Sequence, residues 1–375
     1  MTPCEAMNEE AKKKKRSRTN WLFLIANFAC IGALFISFLA AVIPPKSMGY
    51  LSLFGLAFPF ILLSNFAFII FWYFKRKRFM VLSVIPVILG GGFLTDFFQL
   101  NLSQPESIGE NELKVLTYNV KLFGVYDNEK STETRDSIFA LLQRENADVI
   151  CFQEFFHANN KRFFSTRDTL TRILNTKFLH ERYTHALHGQ KYFGVAMLSR
   201  YPIVSRGYIP FENDANNFCI YADIKKGDDT IRVYNAHLQS IRFKPEDYAF
   251  VDENKNNEEI KSGSKRIARR LKIAFQKRQE QVDRVAASIE ACKYKVILCG
   301  DFNDPPVSYT YHRFTEKMED SFIDAGSGIG NTYIGVFPSF RIDYIMHSKG
   351  MKAIEYTTHP EDFSDHHAIS ATLTY

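Results

Sequence analysis

Residues 20–45, 47–74 and 79–95 contain no charged side chain, and no other feature restricts what this chain can fold into as much. A helix of about 20 apolar residues spans the hydrocarbon core of a bilayer. The first two stretches exceed that length. The third, about 17 residues long, is at the short limit and contains Pro86 and Gly90, Gly91 and Gly92. The first run is too long for a cleaved signal peptide, and a second follows within a few residues. The expected organisation is a basic N-terminal segment over 1–19, three transmembrane helices over 20–98 retained as an anchor, a polar linker over 99–112 and a folded domain over 113–375.

Charge sets the expected orientation. Lys12, Lys13, Lys14, Lys15, Arg16 and Arg18 precede the first stretch, and Lys75, Arg76, Lys77 and Arg78 separate the second from the third. Between the first and second stands only Lys46. The positive-inside rule puts both basic clusters in the cytoplasm. With three crossings of the cytoplasmic membrane, the domain then lies on the outer, periplasmic or extracellular, side. If the third stretch were re-entrant or interfacial, the domain would be cytoplasmic.

The formal net charge of +6 comes from these flanks. From Asp96 to Tyr375 there are 36 Lys and Arg against 38 Asp and Glu. A domain built to grip a long polyanion usually carries a basic excess; this one does not, so nucleic acid is not the favoured partner. The six cysteines show no CxxC spacing, so a zinc cluster is not indicated. Cys151 and Cys299 sit within apolar runs, as small buried hydrophobes do.

Beyond the linker, short apolar runs alternate with helical ones. Strands are expected at 113–120, 148–154, 192–200, 219–226, 230–238, 295–303, 341–348 and 368–375, with helices at 132–145 and 265–291. Residues 242–264 are polar and read as an inserted loop. The pattern predicts an α/β domain of two packed sheets with helices outside.

Polar residues collect where apolar strands end. "VILCGDFNDPP" (296–306) stops at Gly300 and presents Asp301, Asn303 and Asp304 before two prolines. Asn119 ends "LTYNV", Gln153 and Glu154 end "CFQE", and Asn235 and His237 lie in "NAHLQS". Asp343 stands in "RIDYI", and Asp365, His366 and His367 in "SDHH". Any one of these alone is ordinary turn chemistry. Buried together they need mutual partners, and a cation would neutralise the carboxylates.

In this order, with "FGVAMLSRYPI", the series resembles the endonuclease/exonuclease/phosphatase superfamily over about 113–375. The resemblance implies a four-layer α/β sandwich of two mixed β-sheets flanked by helices, and Mg2+-dependent (alternatively Mn2+-dependent) cleavage of a phosphoester. It implies Glu154 as principal metal ligand, with Asn119 beside it and Asp365 as an auxiliary metal or water ligand. It further implies Asp301 as the group that orients and deprotonates water, and Asn303 as a phosphate ligand. His237 would stabilise phosphoryl charge or protonate the leaving oxygen. His366 would be a second phosphate-facing histidine with Asp343 as its partner. The oxygen-type ligand set suits a hard cation. Three activities fit the sequence: a membrane-anchored esterase acting on a lipid head group or small phosphoester, a nuclease supported by the basic helix at 265–278, and a non-catalytic membrane-binding protein. The anchor and the near-neutral domain favour the first.

Overall fold

The computed structural model describes residues 3–101, 111–126, 131–159, 164–212, 214–244, 246–247, 257–335 and 340–375, with side chains from residue 20 onward apart from 215 and 257. Residues 102–110 of the expected linker, and 245 and 248–256 of the expected insertion, lie outside the described residues.

The N-terminal part is helical: α1 (Pro3–Val42), α2 (Pro45–Met48), α3 (Ser52–Leu56), α4 (Phe58–Lys75), α5 (Lys77–Leu89) and α6 (Gly91–Thr95). Two segments, Asn20–Val42 and Phe58–Lys75, are long and apolar enough to cross a membrane. The third apolar stretch differs from the expected single helix, because it breaks at Gly90 between α5 and α6. Laid end to end, residues 77–95 would still reach roughly 28 Å.

That stretch lies along α1. Asn27 Nδ2 donates to Ser83 Oγ at 2.6 Å, Trp72 Nε1 donates to Asn27 Oδ1 at 2.9 Å, and Phe93 stacks on Phe38 with ring centroids 5.0 Å apart. Buried polar groups in an apolar bundle must satisfy one another, so these bonds set how α1, α4 and α5 are rotated against each other. The outside of the bundle is apolar: Leu22, Leu63, Phe74 and Ile88 are 63–78 % exposed.

The rest of the chain adds strands β1 (Gln99–Leu100), β2 (Glu112–Asn119), β3 (Val149–Ala158), β4 (Phe178–Leu187), β5 (Lys191–Ser199), β6 (Ile203–Phe211) and β7 (Asp214–Lys226). These are followed by β8 (Asp229–His237), β9 (Lys295–Asp301), β10 (Met318–Asp320), β11 (Ser327–Gly328), β12 (Asp343–Ser348), β13 (Lys352–Thr358) and β14 (Ile369–Thr374). The helices among them are α7 (Ser131–Glu145), α8 (Thr166–Ile173), α9 (Asn257–Glu290), α10 (Tyr309–Thr315) and α11 (Ser321–Ala325).

One six-stranded sheet has the order β10-β12-β9-β8-β7-β6, the other β13-β14-β2-β3-β5-β4, and β1 pairs with β11. Each large sheet is mixed, with one parallel pair, β8/β9 and β2/β3 respectively. Alternation along the strands builds the layers. Val115, Cys151, Met197, Cys219, Val233 and Ile345 belong to the core that joins the sheets. Leu116, Ile150 and Phe152 point the other way, against Ile138, Leu141 and Leu142 of α7. Val282, Val285 and Ala286 bring α9 onto the other sheet. The expected four-layer sandwich is therefore present.

Three long strands were absent from the sequence reading: β4, β6 and β13. Each is an edge strand, and edges carry polar and charged residues that blur the alternating pattern. Helix α9 also begins at Asn257 rather than at Lys265, so residues 257–264 are helical instead of loop. Its first turns are polar and carry no apolar stripe by which to recognise them.

The two parts of the molecule interlock. Val307, fully buried, joins Leu34, Ala41, Phe58 and Val87 in one apolar cluster. A Cβ on Gly55 would sit 2.3 Å from the Val307 carbonyl oxygen, so glycine is required at that approach. Arg341 Nη2 donates to the Asp96 carbonyl at 2.7 Å, and Asn101 Nδ2 to the carbonyls of Ile323 and Gly326.

Candidate active site

Three neighbouring strands present one side chain each at a common level. In register, His237 of β8 lies beside Asp301 of β9, which lies opposite Asp343 of β12. Strand β9 reaches this point through Gly300, whose φ is +138°. A Cβ there would stand 1.9 Å from the Ala236 carbonyl oxygen, so only glycine permits the close β8–β9 approach. Beyond Asp301 the chain turns. Asn303 takes φ +55°, and its N–H donates to Asp301 Oδ1 at 2.8 Å. Its Nδ2 donates to the Leu238 carbonyl at 3.0 Å.

The second sheet contributes from β2 and β3. Asn119 Nδ2 donates to Asp301 Oδ2 at 3.0 Å, which joins the two sheets at the site. Glu154 sits in a β-bulge, where the register of β3 against β5 shifts between Phe152 and Phe155, and its φ is +50°. A non-glycine residue in that region is strained; the bulge re-aims the carboxylate that a regular strand would point elsewhere. Glu154 hydrogen-bonds Asn119 and lies within electrostatic reach of Asp365. Ser364 Oγ donates to the Asn119 carbonyl at 2.8 Å, tying the loop of Asp365 and His366 to β2. Lys121 Nζ is 3.6 Å from Asp365 Oδ2.

Asp301 is the centre. His237 Nε2 and His366 Nε2 lie 3.8 and 3.9 Å from its Oδ2. His366 Nδ1 is 2.8 Å from Asp343 Oδ2, and the Tyr333 ring meets the His366 ring edge to face at 5.3 Å. Burial pushes the Asp301 carboxyl up to about 6, against the pull of His366. Burial also holds His237 below its usual range and outweighs Asp301. It would do the same to His366, but Asp343 and then Asp301 prevail and push that ring up to about 10. At neutral pH the site therefore holds one neutral and one cationic histidine around an ionised Asp301.

Two arrangements could enclose a cation. Asp301, Asp343 and His366 offer ligand atoms within 4.8 Å of one another. However, Nδ1 of His366 is committed to Asp343, and a protonated ring has no lone pair to offer. The Glu154 side fits better. Burial first, and then Asp365, raise the Glu154 carboxyl, so two acidic groups lie within electrostatic reach of each other there, with Asn119, whose Oδ1 accepts from the Lys121 N–H, beside Glu154. That oxygen-donor set suits a hard divalent cation. The structure thus brings together every residue expected from the sequence: Asn119, Glu154, His237, Asp301, Asn303, Asp343, Asp365 and His366.

Gln153 and Asn235, named among the polar strand-end residues without a role, and Gln281 and Arg278, which the sequence did not connect with the site, support it from behind. Asn235 Nδ2 donates to the carbonyls of Phe152 and Ala196, and Asn235 Oδ1 accepts from Gln153 Nε2 at 2.6 Å, so these two amides bridge the sheets beneath the site. Gln281 Oε1 accepts from the Gln239 N–H at 2.8 Å and holds the turn after His237. Arg278, fully buried, donates to the Asn303 carbonyl and lies 2.5 Å from Asp304 Oδ1. Its signal was legible: Arg278 stands in the apolar stripe Leu271, Phe275, Val282, Val285, where a solvated arginine does not belong. Arg278→Met should leave the buried Asp304 without its cation, at about 3–5 kcal/mol. Thermal unfolding should show that loss, largely recovered in Arg278→Met/Asp304→Leu. An unchanged melting temperature in the single variant would remove the pair from the support of this loop.

A family model described as "Endonuclease/Exonuclease/phosphatase family" matches residues 116–366. The chain belongs to that family. Residues 20–97 match a second model, a domain of unknown function. No curated protein matches the chain. Among solved structures, a mannosyl-6-phosphatase from Bacteroides thetaiotaomicron is similar at 15% identity and TM-score 0.52, covering 70% of this chain and 100% of that one. An endonuclease/exonuclease/phosphatase from Beutenbergia cavernae is similar at 18% identity and TM-score 0.51, covering 71% and 72%. The catalytic domain of human nocturnin, solved with a sulfate anion, is similar at 16% identity and TM-score 0.50, covering 71% and 95%. At these identities the likeness establishes the family's α/β sandwich.

Proposed function

We propose that this protein is a membrane-anchored, Mg2+-dependent phosphoesterase, with Mn2+ as the alternative cation, that hydrolyses a lipid head group or a small phosphoester close to the bilayer. The observation that carries the reading is the path of residues 301–307. The segment begins at the central carboxylate and ends at Val307, inside the apolar cluster of the helical bundle. Six residues span at most about 21 Å, so the reacting centre lies close to the head-group level of the anchor. The nuclease reading loses part of its support, because Arg266, Arg270 and Arg278 of the basic helix are committed to Asp247, Glu246 and Asp304.

The residues divide the work. Asp301, oriented by Asn119 and by the Asn303 N–H, accepts a proton from the attacking water. His366, kept cationic by Asp343, faces the developing phosphoryl charge, with neutral His237 and the Asn303 amide as further donors. Glu154, Asn119 and Asp365 would hold the cation, which supplies charge neutralisation at the phosphoryl oxygens.

Glu154→Gln should weaken Mg2+ binding and activity together; unchanged activity at limiting Mg2+ would exclude Glu154 as a ligand. Assays of the full chain against phospholipid, soluble phosphoesters and nucleic acid test the substrate class. Turnover of nucleic acid alone would overturn the lipid or small-ester reading. For orientation, both basic clusters are expected in the cytoplasm and residues 99–375 on the outer side. A reporter fused after Tyr375 should be active only outside the cytoplasm, and the opposite result reverses the topology.

A further inference from the structure

One stripe of α9 continues past its contact with the helical bundle. Gln276 Nε2 donates to the Pro45 carbonyl, Gln279 Oε1 accepts from the Lys46 N–H at 2.8 Å, and the Lys272 ammonium lies 4.6 Å from the centroid of the Tyr50 ring. Residues 45–50 are where the chain leaves α1. The contact is lateral and falls mid-helix, so α9 lies across the end of the bundle rather than meeting it end-on. Lys261, Lys265 and Arg269 occupy the same stripe as Lys272, Gln276 and Gln279, at successive spacings of four, four, three, four and three residues. These first three are exposed. Arg266 and Arg270 on the adjacent face are paired with Asp247 and Glu246, whereas no ion pair involves Lys261, Lys265 or Arg269 among the described residues. Ile273, an exposed apolar side chain, flanks the stripe.

We propose that the stripe of Lys261, Lys265 and Arg269 rests on the bilayer surface and binds anionic phospholipid head groups. The inference rests on the anchored reading above. It follows from the continuity of this face with the bundle contact and from charge complementarity. Each basic side chain near an anionic surface favours binding by roughly fivefold, so three favour the seated position of the helix on the order of a hundredfold. Salt should screen the effect.

The test uses the full chain in nanodiscs of phosphatidylcholine alone and of phosphatidylcholine with phosphatidylglycerol. Hydrogen exchange is followed over residues 258–270. Exchange should be slower by at least tenfold with phosphatidylglycerol. The difference should vanish at high salt and in Lys261→Glu/Lys265→Glu/Arg269→Glu, but persist in the control Lys352→Glu. Equal exchange in the two lipids, from a chain inserted in both, overturns the lipid contact and leaves the anchor intact. A chain that enters neither nanodisc overturns the anchor, and this proposal with it.

Discussion

Asp301→Asn is expected to lower turnover by about 10²–10⁴-fold, the usual contribution of a positioned acid–base group, while leaving substrate affinity and fold intact. The amide keeps the shape and can still bond to the Asn303 N–H, but it cannot take a proton from water. Its effect on stability separates this role from a structural one. In the folded protein the Asp301 carboxyl is pushed up to about 6, chiefly by burial. A carboxyl that binds its proton more tightly when folded makes the fold less stable as pH rises from its unfolded value near 4 through about 6. In metal-free protein the asparagine variant should therefore match the parent below about pH 4 and equal or exceed its melting temperature at neutral pH. Activity of the parent should fall as pH drops through the Asp301 titration. A variant that melts earlier yet turns over normally would assign Asp301 to the fold alone.

His366→Ala should cost turnover on a similar scale, and the pair behaviour is the sharper test. Asp343 lies 2.8 Å from His366 Nδ1 and is the main group holding that ring cationic. If the carboxylate acts through the histidine, the loss in kcat for His366→Ala/Asp343→Ala should be clearly smaller than the sum of the single losses. Strict additivity would mean that Asp343 has a separate task. The pH effect on stability has the same sign as for Asp301 but falls in a higher pH window. A histidine whose folded value is raised to about 10 stabilises the fold fully below its unfolded value near 6.5, and this contribution disappears as pH climbs towards 10.

The eight site residues were legible because they stand near the ends or starts of apolar runs at six places along one domain, a pattern that turn chemistry alone explains poorly. Sequence could not say how they would meet. The Asn119–Asp301 bond joins residues from different sheets, and the aim of Glu154 depends on a bulge that no local pattern announces. Arg278 was hidden differently. It lies in a helix rich in Lys and Arg, and charge count masked the one arginine that belongs to the apolar stripe. Strands β2, β5, β8, β9, β12 and β14 were read nearly to their ends because burial makes them largely apolar, whereas β3 runs four residues further than expected and β7 begins five residues earlier. Strands β4, β6 and β13 were invisible because one side of each has no neighbour to impose a pattern. The third apolar stretch was judged by length, whereas its place in the bundle is fixed by a serine and a phenylalanine, Ser83 and Phe93.

The contact between Gly55 and Val307 bears on how far this chain is modular. A polar linker over 99–112 suggests two parts on a string, free to tumble independently. The structure instead locks the parts like a bayonet fitting: Val307 is the pin, and the glycine at 55 is the slot that admits it. The pin is only six residues from Asp301, so a tilt of α1 or α4 would meet the candidate site through a short segment that carries Pro305 and Pro306. The helical bundle and the sandwich are thus joined laterally as well as along the chain.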